Sequence, residues 1–199
     1  MVEIKVLVRG VHSKPIEGKL QIGATATLIK SDKNILVDTG YFEDKKSLLS
    51  ALAGEGLTSE QIDIVILTHM HLDHVVNTYL FENAKIFCKL RKDYMGQYHI
   101  PKEKSVQRIE LIDGTEIAKD ISILLTPGHT EDHISVLAKT EKGNIVIAGD
   151  AIADESFADM EMKPPLANNL ADYDESRKKI LAVADYIIPG HGDMFQVKK

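Results

Sequence analysis

The chain has 199 residues, 44% of them apolar and 27% charged, with 13 Gly and 6 Pro. That balance excludes a disordered, collagen-like or low-complexity chain and predicts one compact domain over residues 1–199. A formal net charge of -6 excludes an overall basic footprint for nucleic acid and leaves only a local basic groove open.

In chain order, β-branched apolar stretches at residues 2–8, 24–29 and 34–37 predict three strands. After Asp38-Thr39-Gly40, residues 47–57 carry Leu48, Leu49, Leu52 and Leu57 at a helical period. Thr58-Ser59-Glu60-Gln61 has the pattern of a capped turn, and the near-continuous apolar run 63–67 suits a buried strand. Further strands are predicted at 85–88, 108–112, 121–126, 134–139 and 144–148, then a helix at 176–184 and a last strand at 186–188. Two strand-rich halves punctuated by helices predict an α+β fold, two mixed sheets face to face with helices outside in a four-layer αββα sandwich. Residues 150–174 read poorly as regular structure and are the candidate substrate-facing wall or lid.

The longest apolar runs, 62–67 and 121–125, are strand-sized and far below the roughly 18 residues of a membrane span, so no membrane association is expected. Cys88, the single cysteine, cannot close an intrachain disulfide, and residues 1–23 lack the pattern of a secretory leader. A cytoplasmic protein is expected. Oligomeric state is left open.

The chemistry centres on Thr68-His69-Met70-His71-Leu72-Asp73-His74, directly after the buried 63–67 run. With 8 His in the whole chain, a chance His-x-His-x-Asp-His is on the order of one in a thousand. Two His one residue apart in extended chain project to the same side, so His69 and His71 can grip one metal while Asp73 and His74 reach another. Imidazole with carboxylate suits zinc, and iron or manganese accept the same donors. Pro127-Gly128-His129-Thr130, Ala148-Gly149-Asp150 and Pro189-Gly190-His191-Gly192 each add a ligand-type side chain beside Gly.

In this order and with these flanks, the set resembles the metallo-β-lactamase superfamily of metal-dependent hydrolases over essentially the whole chain. The resemblance implies a first metal held by His69, His71 and His129 and a second by Asp73, His74 and His191. Asp150 would bridge them, and Asp38, in Val37-Asp38-Thr39-Gly40, would orient a ligand from outside. It also implies two divalent metals, zinc best matched, whose shared hydroxide cleaves an ester, thioester, lactone or phosphodiester, with Asp73 shuttling a proton. The stretch from Ser176-Arg177-Lys178-Lys179 to Pro189-Gly190-His191-Gly192 is similar to a subgroup linked to nuclease activity. A small-molecule substrate is nevertheless expected, because the net charge and the acidic 154–161 stretch repel a polyanion. RNA cleavage would need a local patch of Arg177, Lys178 and Lys179.

Departures from the family narrow the reading. Asp150 stands where the commonest lactam hydrolases carry cysteine, so a lactamase is not expected. The chain ends eight residues after His191, without the helical substrate domain of the glyoxalase II type, and no inserted RNA-gripping domain is expected. His71 occupies a position usually Glu in flavodiiron proteins. A rival reading keeps one iron at His69 and His71 for oxygen chemistry on a persulfide. His133, four residues after His129, is a candidate for lining the site; His12 and His99 lie in polar loops without an assigned role, and Lys102-Glu103-Lys104 reads as a solvated face.

Overall fold

The computed structural model describes residues 2–12, 22–89 and 111–198. Strands β1 (Glu3–Val8), β2 (Val11–His12), β3 (Ile22–Gly23), β4 (Ala26–Lys30) and β5 (Asn34–Val37) precede helix α1 (Lys45–Gly54). Strand β6 (Ile64–Ile66), the one-turn helix α2 (Leu72–Val75) and strand β7 (Lys85–Phe87) complete the first half. The second half runs β8 (Glu116–Ala118), β9 (Ile121–Leu125), β10 (Ile134–Thr140), β11 (Gly143–Gly149), α3 (Leu170–Val183), β12 (Tyr186–Pro189) and β13 (Phe195–Gln196).

One sheet has the order β1-β4-β5-β6-β7, the other β13-β12-β11-β10-β9-β8, and β2 pairs with β3 as a short hairpin. The side-chain alternation of strands explains the layering. Ile35, Val37, Ile64 and Ile66 face Ile121, Ile123, Val136, Ile145 and Ile147 between the sheets. Their neighbours Leu36 and Val65 turn outward onto Leu48 and Leu52 of α1. On the opposite side Val146, Ala148 and Ile187 pack against Ile180 of α3. Every layer therefore buries an apolar face, and the expected αββα sandwich is the fold.

Two differences from the sequence reading have physical reasons. Helix α3 starts at Leu170 rather than 176, because Asn169 caps it, its side chain accepting from the backbone N–H groups of Ala171 and Asp172. Residues 150–174 thus contain the first turns of α3 and short 3-10 turns at Asp150–Ile152 and Glu155–Ala158. The strand expected at 108–112 lies outside the described residues at 108–110, while Leu111 and Ile112 lead into a turn, with Thr115 N–H donating to Ile112 O at 3.1 Å. His99 and residues 102–104 also lie outside the described residues.

The topology collects the candidate ligands. Strands β5 and β6 run parallel, as do β11 and β12, while β9 and β11 both run antiparallel to β10. Asp38, the His69–His74 motif, His129, Asp150 and His191 follow the C-terminal ends of β5, β6, β9, β11 and β12. A backbone bond from Ile134 N–H to Thr68 O, 2.9 Å, ties the motif loop of one sheet to the other.

Candidate metal centre

Buried β6 delivers the chain to Thr68, and His71 is the extended N-cap of α2 (φ -68, ψ 144). Extended backbone puts His69 and His71 on one side, and the single turn of α2 then presents Asp73 and His74. His69 Nε2 lies 2.9 Å from His71 Nδ1, which lies 3.0 Å from His129 Nε2. Asp150 Oδ2 lies 3.3 Å from His129 Nε2. Its Oδ1 faces the other way, 3.4 Å from His74 Nε2 and 3.2 Å from His191 Nε2. Asp73 Oδ2 closes that second group, 3.7 Å from His74 Nε2 and 3.8 Å from His191 Nε2.

The outer nitrogens of three histidines have fixed partners. Thr68 donates from its N–H and its hydroxyl to Asp38, both at 2.8 Å. Asp38 Oδ2 also accepts from His74 Nδ1 at 2.7 Å, which turns His74 Nε2 inward. Because the Thr68 proton goes to Asp38, Thr68 Oγ1 accepts from His69 Nδ1 at 3.1 Å. His191 Nδ1 donates to Gly23 O at 3.0 Å. Each Nε2 therefore points inward with the outer nitrogen already engaged, the orientation a metal ligand requires.

The same groups are strongly linked in charge. Burial opposes ionisation of Asp150, yet His74 and His191 hold its carboxyl well below the usual range. Burial likewise opposes charge on His74, and Asp38 and Asp150 overcome it. His191 is raised by Asp150 against its burial. His69 and His129 are lowered, chiefly by burial, and stay neutral. The buried carboxylates thus draw positive charge onto His74 and His191, a demand that a bound cation would meet in place of those protons. His74 Nε2 and Asp150 Oδ1 are buried without a hydrogen-bond partner, which a bound cation would provide. The donors form the two groups His69, His71, His129, Asp150 and Asp73, His74, His191, with the donor atoms of each group within 4.8 Å of one another. A divalent metal fits both.

All seven sequence-predicted ligand residues meet here, and Asp38 orients His74. His133 does not line an open cleft: it is fully buried behind the ligands, its ring 5.0 Å from that of His69. Its Nδ1 lies 2.9 Å from Thr126 Oγ1, which meets Ser135 Oγ at 2.8 Å, and Ser135 donates to Ala148 O. The basic patch is corrected too. Arg177 is fully buried, Lys178 pairs with Glu175 at 2.8 Å, and Lys179 pairs with Asp113 at 3.2 Å. Sequence reasoning missed Thr68, the Gly23 carbonyl and His12, whose ring lies 5.6 Å from that of His191. A hydroxyl directly before the first ligand was the available signal for Thr68.

Glycines admit this close packing. A Cβ on Gly190 would clash with Asp150 Oδ1, and Gly149, at φ 52, turns β11 sharply into Asp150.

An αββα sandwich carrying two His/Asp groups at its strand ends defines a metal-dependent hydrolase. The model of the metallo-β-lactamase superfamily matches residues 21–191, and the chain belongs to that superfamily. Metallo-β-lactamase domain-containing protein 1 of Xenopus laevis is 35% identical over 198 residues, covering 98% of this chain and 82% of that protein. The Homo sapiens protein of the same name is 35% identical over 179 residues, 88% of this chain and 64% of its own length. The chain thus spans less than two thirds of that relative. A Methanocaldococcus jannaschii protein named a probable metallo-hydrolase is 31% identical over 164 residues, 79% of this chain and 70% of that protein. A crystal structure from Thermotoga maritima bearing the metallo-β-lactamase designation superposes with a TM-score of 0.75 at 21% identity, covering 98% of this chain and 99% of that one.

Proposed function

We propose that the chain hydrolyses an ester, thioester, lactone or phosphodiester of a small molecule with two divalent metals, zinc the best match. The observation that carries this reading is the division of Asp150, one carboxylate oxygen toward His129 and the other toward His74 and His191. His69, His71 and His129 would hold one ion and Asp73, His74 and His191 the other, with Asp150 between. When bound, such a pair supplies Lewis acidity to the scissile group and lowers the pKa of water toward neutrality.

The protein's own groups supply the rest. Asp38 keeps the His74 proton on Nδ1, and the Gly23 carbonyl does the same for His191. Asp73 engages its group through Oδ2, leaving Oδ1 to take a proton from water and return it to the leaving group. Two ligand groups, rather than one, favour hydrolysis over the mononuclear iron reading. Burial of Arg177 disfavours RNA as the substrate.

The test joins elemental analysis to a panel of nitrophenyl esters, an acyl thioester, a lactone and bis(nitrophenyl) phosphate. Two zinc ions per chain and turnover lost in Asp150→Ala are expected. A single iron per chain with no hydrolysis of any panel member overturns the reading.

A further inference from the structure

Among the described residues Arg177 is the largest fully buried side chain, and no step proposed above uses it. From α3 its Nη1 donates to Phe157 O at 2.9 Å, Asp159 O at 3.0 Å and Met162 O at 3.0 Å. Nη2 donates to Met160 O at 3.4 Å and to Asp174 Oδ1 at 2.7 Å. The Tyr173 ring lies 5.1 Å from the guanidinium carbon. The loop after Asp150 is thus wrapped around one cation, its carbonyls turned inward.

Both ends of that loop are fastened to ligand segments. On the Asp150 side, Ile152 O accepts from Gly190 N–H at 3.2 Å and Ala153 O from His191 N–H at 2.6 Å. On the far side, Asn168 N–H donates to His129 O at 3.3 Å and Asn169 N–H to Gly128 O at 3.0 Å. Ser176, next to Arg177, donates to Pro127 O at 2.7 Å. Residues 153–169 therefore span from the Asp150 and His191 segments to the His129 segment, and Arg177 grips the span at its middle.

Resting on the metal-centre reading, we propose that Arg177 is a positioning residue for that centre: by fixing the course of residues 153–169 it holds Asp150, His191 and His129 in register. A lysine cannot replace it. The planar guanidinium presents four N–H donors on Nη1 and Nη2 in one plane, its Nε having no partner, whereas an ammonium offers three and reaches fewer of the carbonyls.

The experiment uses the full chain as Arg177→Lys, Arg177→Met and the milder Asp174→Asn, which keeps the arginine but removes its ion pair; because Asp174 Oδ2 also holds Lys163 at 2.8 Å, Lys163→Met is read beside it. Leu48→Ala, in the α1 layer remote from the span, serves as a control of matched thermal destabilisation. Zinc affinities are read by chelator competition, and the Co(II) form by its visible spectrum. The expected result is zinc affinity weaker by about tenfold or more in Arg177→Lys and less in Asp174→Asn, with altered Co(II) bands, while Leu48→Ala keeps both. If Arg177→Lys fails to fold, Asp174→Asn decides by its loss of zinc affinity beyond that of Lys163→Met. Wild-type affinity and Co(II) bands in the folded Arg177 and Asp174 variants, or equal losses in Leu48→Ala, overturn the proposal. Wild-type protein that binds no zinc overturns the metal-centre reading itself.

Discussion

Asp38 Oδ2 lies 2.7 Å from His74 Nδ1, inside a layer where both side chains are almost wholly buried. Asp38 reaches that position with φ 56, in the left-handed region that costs a residue with a side chain roughly 1–2 kcal/mol. Its backbone N–H donates to Ile66 O at 2.9 Å and its carboxylate accepts both Thr68 donors, so the strained turn is held by the loop it organises. Asp38→Asn keeps the size but removes the charge that fixes the His74 proton. Metal affinity should fall about 10–100-fold, measured with a chromogenic chelator. An unchanged affinity would refute the role.

Metal stoichiometry should separate the two groups. Asp150 faces both, so Asp150→Ala is expected to lower metal below one ion per chain, and His69→Ala to empty the first group. His191→Ala removes a donor from the second group alone and should leave one ion. Mass-spectrometric metal counts on soluble, folded variants decide it, and wild-type counts in all three would sink the ligand assignment.

The ligands were legible because most lie in one short motif, and because an extended segment followed by a turn has predictable side-chain directions. Apart from Thr68, what was hidden came from far away in sequence. The Gly23 carbonyl and His12 reach the site through pairing of β2 with β3, elements of two residues each with no periodicity to read. The first turns of α3 were hidden by composition, since Leu-Ala-Asp-Tyr-Asp-Glu buries only Tyr173. Asn169 with Asp172 three residues on was the capping signal that marked the start. Arg177 looked like one of a run of surface cations; only the loop folded around it shows where it points.

His133 should make the protein acid-sensitive. Burial pushes it from its ordinary 6.5 down to about 3. The unfolded chain therefore gains a proton near pH 6.5 that the folded chain refuses until about pH 3. Stability present above the first value is lost as pH falls between the two, at up to about 1.4 kcal/mol per pH unit. Denaturant titrations at pH 7, 6 and 5 should show a shallower loss in His133→Gln than in wild type. Parallel slopes would count against it.

Cys88 should be a sluggish thiol. Burial, with the Asp132 charge adding to it, pushes its pKa from 9.0 up to about 11. Two units remove about 99% of the thiolate available to an ordinary cysteine, so iodoacetamide at pH 8 should react about 100-fold slower than with a free thiol of pKa 9. Mass spectrometry of native and denatured protein checks this, and comparable rates in both states would contradict the burial.

RNA should survive the metal-loaded protein. Polyanion binding needs unpaired Lys and Arg beside the site, since each phosphate neutralised adds to affinity and to its salt dependence. Here Arg177 is spent on carbonyls and Asp174, while Lys178 and Lys179 are paired with Glu175 and Asp113. The loop beyond Asp150 presents Asp154, Glu155, Asp159 and Glu161, which repel phosphate. Single-stranded RNA incubated at low and moderate salt is therefore expected to remain intact while a small ester is turned over. Cleavage that vanishes in Asp73→Ala and weakens steeply with salt would instead make RNA a substrate, and would require a basic surface other than the one on α3.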